Sequence, residues 1–279
     1  LGTARGGRFQ AEKFILCVGG HARRLPFPGA EYALTHSDVW SLKTLPKSVV
    51  IIGAAATGCQ LASIFRDFGA EVWLLELAPR ILPGEDMDVS HTMETIFKQR
   101  GIHVMTGFAG VERIEKVPAG LQLIPTQPTG NEFPPNPTSS PTFPPPADAI
   151  LLAVGWPGNV EGLNLSAAGI APERGFVPVN DYLQTPAPHI FAAGDITGRM
   201  MLVQSAGHEA RVAAENAVLG LRQTYGHYIV PHGGFTDPEY GSVGLTEAQA
   251  PNAGVAVVPF ADIDRAVIDG HTDGFCKLI

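Results

Sequence analysis

The sequence predicts an α/β fold whose central strands are parallel and buried on both faces. Two uninterrupted apolar runs, Ser48–Ile52 and Glu71–Leu75, have the composition of such strands. Between them, a turn rich in glycine and alanine is followed by apolar residues at helical spacing, which end at Gly69. Strand, turn, helix and strand together span about thirty residues, which is the size of a βαβ unit.

Length, charge and hydropathy argue against a nucleic-acid-binding or membrane-spanning protein. The 279 residues are enough for two domains, and the net charge of -8 includes no basic cluster of the kind that binds nucleic acid. The longest apolar runs are strand-sized, well short of the ~20 residues of a membrane helix, so we expect no membrane partner. The sequence starts with Leu1 and ends in a strand-like segment, and we expect both ends to be cuts in a longer protein.

The three cysteines, Cys17, Cys59 and Cys276, lie far apart and form neither a CxxC pair nor a Cys/His set at zinc spacing. We therefore expect no metal site and interpret each cysteine as a small buried apolar residue. No signal peptide is visible at the start of the sequence. These features favour a reducing compartment, either the cytoplasm or an organelle matrix.

The remaining elements are predicted from short apolar runs and from the glycines and prolines that separate them. We expect a strand and turn at Lys13–Gly20, a connector at 23–47, a helix at Thr92–Arg100, and strands at Ile102–Met105, Val111–Ile114, Ala149–Val154 and His189–Ala193. A long amphipathic helix is expected at Ser205–Leu221, stopped near Gly220. Short β-like runs at Gly241–Leu245, Val255–Phe260 and Phe275–Ile279 indicate a further domain that begins near residue 230.

One stretch, Val117–Pro146, contains ten prolines. Because proline removes a backbone hydrogen-bond donor, we expect no interior strand there. We interpret the stretch as a flexible surface loop with some polyproline II character. A site for a ligand that binds proline motifs is the alternative.

The glycine turn after the first buried strand has the spacing of a dinucleotide-binding fingerprint. Gly53 and Gly58 take its first and third glycine positions, and Ala55 replaces the middle glycine. Such a turn brings the backbone close to a pyrophosphate, which the N–H groups at the helix start then bind. On its own this pattern is a weak signal.

Glu76 strengthens the dinucleotide interpretation. It ends the second buried strand about twenty residues after the glycines, where a carboxylate accepts hydrogen bonds from a ribose 2′-hydroxyl. The carboxylate would repel a 2′-phosphate, so NAD is favoured over NADP, although the nearby Arg80 could weaken this preference. The alternative is an ordinary surface acid at the end of a strand.

Five blocks, in this order along the chain, resemble the pyridine nucleotide-disulfide oxidoreductases. They are FILCVGG with RRLPFPG (Phe14–Gly20 and Arg23–Gly29), the turn at Gly53, LLAVGW (Leu151–Trp156), HIFAAGDITG (His189–Gly198) and FTDPEYGSVGLTE (Phe235–Glu247). The resemblance implies two Rossmann-like domains for FAD and NAD(P), the FAD domain incomplete, with a truncated α+β dimerisation domain. It also implies a homodimer in the full-length form.

The resemblance assigns segments and residues to each cofactor. It places the end of a first FAD segment at 1–30, an NAD domain at 45–150 with the Pro-rich loop at 117–147, a return to the FAD domain at 151–227, and the start of the dimerisation domain at 230–279. The implied FAD residues are Gly19, Gly194, Asp195, Leu202, Val203 and Gln204, with the Asp195 carboxylate on the ribitol. The implied NAD residues are Gly53, Ala55, Gly58, Glu76, Ala109 and Gly155.

The departures from the family pattern bear on activity. Gln60 stands where many relatives have glutamate, and Trp156-Pro157 replaces a continuation that usually contains arginine. The redox CxxxxC, the first FAD fingerprint and the His/Glu acid–base pair are absent, so no catalytic residue is expected in this chain. We therefore expect poor FAD binding and no turnover. A catalytically silent dinucleotide-binding module is the alternative function, and a flavin monooxygenase-like protein is less favoured.

Overall fold

The computed structural model describes residues 7–126, 144–226 and 229–279, which form two units. The strands are β1 (Phe14–Leu16), β2 (Leu34–Thr35), β3 (Ser48–Ile52), β4 (Glu71–Leu75), β5 (Ile102–Met105), β6 (Val111–Val117), β7 (Gly120–Pro125), β8 (Ala149–Leu152), β9 (Ile190–Ala192), β10 (His232–Gly234), β11 (Tyr240–Ser242), β12 (Ala256–Pro259) and β13 (Phe275–Leu278). The helices are α1 (His36–Val39), α2 (Ala56–Asp67), α3 (Met87–Gln99), α4 (Val203–Leu219) and α5 (Asp264–Asp269).

The larger unit comprises Ala22–Val154 and Pro231–Ile279, and the smaller comprises Leu1–His21 and Gly155–Val230. These divisions differ from the boundaries predicted from the sequence. Residues 22–30 group with the larger unit, and the boundary predicted after residue 150 falls inside β8. The names given to the segments remain predictions.

A five-stranded parallel sheet in the order β2-β8-β3-β4-β5 is the core of the larger unit. In β3, four of the five residues are buried, as the uninterrupted β-branched run predicts. One face of the sheet packs against Phe65 of α2 and Phe97 of α3. The α/β fold with parallel central strands is therefore confirmed.

Helix α3 begins five residues earlier than predicted. The carboxylate of Asp86 accepts a hydrogen bond from the backbone N–H of Asp88, at 3.1 Å, and so caps the first turn. The apolar pattern used for the prediction starts only later in the helix, whereas the cap sets its true start.

The other face of the sheet is covered by a β-hairpin, and this corrects one prediction. Strand β7 pairs with β6 inside the stretch interpreted as a loop from Val117 to Pro146. Its residues before Pro125 keep their backbone donors, and Leu123 is buried against Ile150 and Leu152 of the sheet. Five of the ten prolines that prompted the loop interpretation lie at 127–143, outside the described residues.

In the smaller unit, β1 pairs in parallel with β9, and α4 packs against both strands. Helix α4 begins at Val203, two residues before the predicted start, and ends at Gly220, whose φ of 67° is the left-handed conformation that glycine adopts readily. Val212 and Ala213 of the helix lie in one apolar cluster with Phe191. The predicted helix and its stop are confirmed.

The segment Pro231–Ile279 joins the larger unit through Lys277. The ammonium group of Lys277, whose side chain is only 6% exposed, donates to Asp86 at 2.8 Å, Asp88 at 2.8 Å and Glu247 at 2.6 Å. Burial works to lower the pKa of Lys277, but the three carboxylates outweigh it and hold the pKa above its usual value. This cluster fixes β13 to the start of α3.

We expect Lys277→Met to lower the free energy of unfolding by about 2 kcal/mol, because it leaves three carboxylates close together without a cation. The matched control is Lys98→Met, which removes an exposed ion pair with Glu94 and is expected to cost about 0.3–0.5 kcal/mol. Urea unfolding of both variants measures the difference. Equal losses would show that the Lys277 cluster does not stabilise the unit.

Among the described residues, no helix is both long and apolar enough to cross a membrane.

Candidate nucleotide-binding sites

The glycine turn between β3 and α2 depends on close backbone contacts. Gly53 has φ of 98°, and a Cβ atom there would overlap the carbonyl of Ala153. A Cβ atom at Gly58 would overlap the carbonyl oxygen of Gly53. Any side chain at either position would therefore force the helix and the strand apart.

The start of helix α2 has no side-chain cap. Ala55 precedes the helix in an extended conformation and is exposed, so its methyl group is not part of the internal packing. The first intrahelical hydrogen bond runs from the N–H of Cys59 to the carbonyl of Ala55. The earlier N–H groups of the first turn are thus available to an anion such as a pyrophosphate.

The carboxylate of Glu76 lies against this same turn. Its Oε2 atom accepts from the backbone N–H of Ala54 at 2.6 Å, and its Oε1 atom accepts from the N–H of Ala78 at 2.8 Å. Each oxygen keeps a second lone pair that can accept a hydroxyl proton. The fold therefore brings Glu76 and the fingerprint turn together, and the predicted contact of Glu76 with a ribose stays a prediction.

The guanidinium of Arg80 is hydrogen-bonded to its own loop. Its guanidinium donates to the backbone carbonyls of Leu82 at 3.2 Å, Pro83 at 2.7 Å and Glu85 at 3.0 Å. These three hydrogen bonds occupy the guanidinium, which is the cation near Glu76 that could otherwise pair with a 2′-phosphate.

Ala109 is an exposed residue of the loop after β5. Its neighbour Phe108 donates its backbone N–H to the carbonyl of Glu76 at 2.9 Å, so this loop lies beside the Glu76 segment. The predicted contact of Ala109 with a nucleotide stays a prediction. The last residue assigned to NAD, Gly155, has φ of 118° and belongs to the smaller unit.

The smaller unit contains a cavity of about 340 Å³ next to the Gly194-Asp195 turn. Its lining residues are Cys17, Gly19, Ala193, Gly194, Asp195, Met201, Val203, Ala206 and Ala210. The cavity thus brings together four of the residues assigned to FAD, and it is lined mostly by small side chains. Leu202 precedes α4 in an extended conformation, and Gln204 is an exposed residue of its first turn.

The carboxylate of Asp195 has no hydrogen-bond partner among the described residues, although the residue is half-buried beside the cavity. A partly buried carboxylate without a partner is costly, and hydroxyl groups of a ligand would satisfy it. The first turn of α4 also faces this region through Val203, and no side chain caps it. These features fit a polyol-bearing dinucleotide such as FAD.

Glu209 is a site residue that the sequence reasoning missed. It is fully buried on α4, and its Oε2 atom accepts from the backbone N–H of Gly194 at 2.6 Å. Burial raises the pKa of Glu209; the hydrogen bond from Gly194 and the charge of Arg199 offset part of this rise, and the charge of Asp195 adds to it. The available signal was helical spacing, because Ser205, Glu209 and Val212 share the buried face of the helix.

The raised pKa of Glu209 predicts how Glu209→Gln changes stability with pH. A carboxyl whose folded-state pKa lies above its usual value of 4.5 stabilises the fold while protonated, and that contribution is lost as pH rises through the folded pKa. The free energy of unfolding of the variant relative to the native chain should therefore increase from about pH 4.5 toward neutrality. Urea unfolding across this range measures it; a constant difference would contradict the raised pKa.

Two departures from the family pattern have local structural roles. The indole of Trp156 lies so close to Gly20 that a Cβ atom there would overlap it, and the following carbonyl of Pro157 accepts from the N–H of His21 at 3.0 Å. The side-chain oxygen of Gln60 accepts from the backbone N–H of Phe235 at 3.0 Å. Among the described residues, no group of three or more potential metal ligands is present, and all three cysteines are free.

The cysteine interpretation needs correction at two positions. Cys59 is buried, as expected, and its thiol donates to the carbonyl of Ala54 at 3.3 Å. Cys17 and Cys276 are exposed: Cys17 directly follows β1 and borders the cavity, and Cys276 lies on the exposed side of β13.

Two family models match the chain. The model described as pyridine nucleotide-disulphide oxidoreductase matches residues 2–210, and the model of the dimerisation domain of the same proteins matches residues 230–279. The two matches together cover the segments in which the sequence resemblance was found.

Relatives with moderate sequence identity also match nearly the whole chain. The chain is 32% identical over 276 residues to a dihydrolipoyl dehydrogenase of Bacillus subtilis, with 96% of this chain and 56% of that protein covered. It is 34% identical over 281 residues to a dihydrolipoyl dehydrogenase of Chlamydia muridarum, with 97% and 56% covered. The chain thus spans little more than half the length of these relatives.

Solved structures share the fold. The HOCl-induced flavoprotein disulfide reductase RclA from Escherichia coli superposes with a TM-score of 0.85 at 27% identity, covering 98% of this chain and 61% of that one. LpdA from Mycobacterium tuberculosis superposes with a TM-score of 0.81 at 24% identity, covering 99% and 59%, which shows a common fold.

Proposed function

Because the chain belongs to the pyridine nucleotide-disulphide oxidoreductase family, we propose that it binds FAD and NAD and moves a hydride from NADH to the flavin. The observation that carries the proposal is the pairing of each predicted nucleotide turn with an acidic residue. Glu76 accepts a hydrogen bond from the Gly53 turn of the larger unit, and Asp195 lies at the cavity of the smaller unit.

The larger unit is proposed to hold NAD. The uncapped first turn of α2 binds the pyrophosphate through backbone N–H groups, and Glu76 accepts from the ribose 2′-hydroxyl through its remaining lone pairs. The carboxylate repels a 2′-phosphate, and the bonds from Arg80 to its own loop keep that cation from compensating. This arrangement favours NAD over NADP.

The smaller unit is proposed to hold FAD. Asp195 accepts from a ribitol hydroxyl, and the first-turn N–H groups of α4 stabilise negative charge that develops nearby. The small side chains of the cavity let the ligand approach the backbone of Gly19 and Gly194. When bound, FAD supplies the acceptor for the hydride of reduced nicotinamide.

Electron transfer from flavin to a disulfide needs a pair of neighbouring cysteines, and this chain has none. The proposed chemistry of these residues therefore ends at the flavin, and the later acceptor depends on other residues. For the same reason, a silent dinucleotide-binding module is the second candidate function. We also propose a reducing compartment, since Cys17 and Cys276 are exposed free thiols, and a homodimer formed through residues 230–279.

The two candidate functions differ in a direct test. FAD is titrated into the chain and followed by flavin fluorescence, and NADH is then added without oxygen while flavin absorbance is recorded. We expect FAD to bind weakly, because the first FAD fingerprint is absent from this chain, and the bound FAD to be reduced by NADH faster than free FAD under the same conditions, without turnover onto a disulfide. Binding of NADH without any acceleration of flavin reduction would support the silent module instead.

A further inference from the structure

The main chain of Gly194 is held on both sides. Its N–H donates to Oε2 of Glu209 at 2.6 Å, and its carbonyl accepts from the N–H and the hydroxyl of Thr197, both at 2.9 Å. Glu209 supplies the only side chain that binds this N–H among the described residues. The turn before Asp195 is therefore fixed by one acid from α4 and by one threonine of its own loop.

The conformation of Gly194 explains why it must be held. Its φ of 79° and ψ of -157° lie in a region that is essentially restricted to glycine, and such backbone persists where the surrounding structure determines it. The direction of the next side chain, Asp195, follows from this ψ angle. Release of the Gly194 N–H would let the carboxylate of Asp195 turn away from the cavity.

Packing alone would not favour a glutamate at position 209. Its side chain is fully buried, and its Oε1 atom has no hydrogen-bond partner among the described residues. Burial raises the pKa of Glu209, and although the charge of Arg199 favours its ionisation, the charge of Asp195 opposes it. An apolar side chain on this face would avoid both costs, as Val212 and Ala213 do one turn later, so the contact with Gly194 is the reason to keep an acid here.

We propose that Glu209 is the positioning residue of the Gly194-Asp195 turn, which holds the Asp195 carboxylate toward a polyol-bearing dinucleotide in the cavity. This inference rests on the proposed FAD function, since it names the residue that orients the flavin-binding acid. Glu209 acts through Gly194 and does not line the cavity itself.

Three variants separate positioning from general stability. Glu209→Leu removes the acceptor of the Gly194 N–H, whereas Glu209→Gln keeps a side-chain oxygen in its place. Asn216→Leu is the matched control, because Asn216 is another buried polar residue of α4 that bonds to Tyr182 and Gln223, away from the turn. If the leucine at 209 prevents folding, Glu209→Met provides a longer side chain without a hydrogen-bonding oxygen.

The primary measurement is hydrogen exchange of the Gly194 amide by NMR. We expect exchange at least tenfold faster in Glu209→Leu, near the native rate in Glu209→Gln, and near the native rate in Asn216→Leu. A native rate at Gly194 in the leucine variant would overturn the inference, whether or not FAD binds.

The second measurement is the dissociation constant for FAD. We expect at least tenfold weaker binding by Glu209→Leu and a change below threefold for both Glu209→Gln and Asn216→Leu. Equal weakening by Glu209→Leu and Asn216→Leu would also overturn the inference, because it would show a general structural effect. Failure of the native chain to bind FAD, with faster exchange at Gly194 in the leucine variant, would instead contradict the proposed function and leave the role of Glu209 in the turn supported.

Discussion

Replacing Gly58 with alanine is expected to lower the free energy of unfolding by about 3 kcal/mol and to abolish measurable NADH binding. The added methyl group would overlap the carbonyl oxygen of Gly53, which is a backbone atom and cannot move without separating β3 from α2. Displacement of the helix start removes the N–H groups proposed to bind the pyrophosphate. Urea unfolding and fluorescence titration with NADH measure the two effects.

The same substitution at Gly207 is the control. Gly207 lies inside α4, and a methyl group added there would point into open space beyond the backbone of its own helix. Alanine favours a helix over glycine by about 1 kcal/mol, and we expect Gly207→Ala to be neutral or stabilising. If Gly58→Ala had the same effect, the close approach at the turn would not matter.

Replacing Asp195 with leucine is expected to weaken FAD binding by roughly 10- to 100-fold, which corresponds to losing a hydrogen bond to a charged group. The carboxylate borders the cavity without a partner among the described residues, so its replacement breaks no bond within that part of the protein. Asp195→Asn keeps one acceptor oxygen, and its loss should be smaller. Flavin fluorescence titration measures both dissociation constants.

An exposed acid of the same unit provides the control for Asp195. Glu161→Leu removes a carboxylate that lies outside the cavity, and FAD affinity should stay within about twofold of the native value. If Asp195→Leu and Glu161→Leu behaved alike, the acid at the cavity would have no role in binding.

The parallel sheet and its glycine turn could be predicted from the sequence because their signals are local. A continuous β-branched run such as β3 has few alternatives, and the steric needs of Gly53 and Gly58 fix their spacing. The hairpin strand β7 could not be read in the same way. The prolines nearby indicated a loop, whereas β7 forms a strand because its apolar side chains pack on the second face of the sheet.

The details of the candidate sites depended on contacts between distant residues. Glu209 gained its role only when α4 brought it to Gly194, which is 15 residues away in the chain. The sequence also left open whether Arg80 opposes or supports the preference set by Glu76. Three backbone carbonyls of its own loop bind the Arg80 guanidinium, and their positions depend on how residues 82–85 fold.

The central claim is that Glu76, whose carboxylate is hydrogen-bonded to the Gly53 turn, selects a nucleotide with a free 2′-hydroxyl. Titration of the native chain and of Glu76→Gln with NADH and with NADPH tests it most directly. We expect the native chain to bind NADH at least tenfold more tightly, or about 1.4 kcal/mol, and the glutamine variant to lose most of this preference while keeping an acceptor for Ala54. Equal or tighter binding of NADPH by the native chain would contradict the claim.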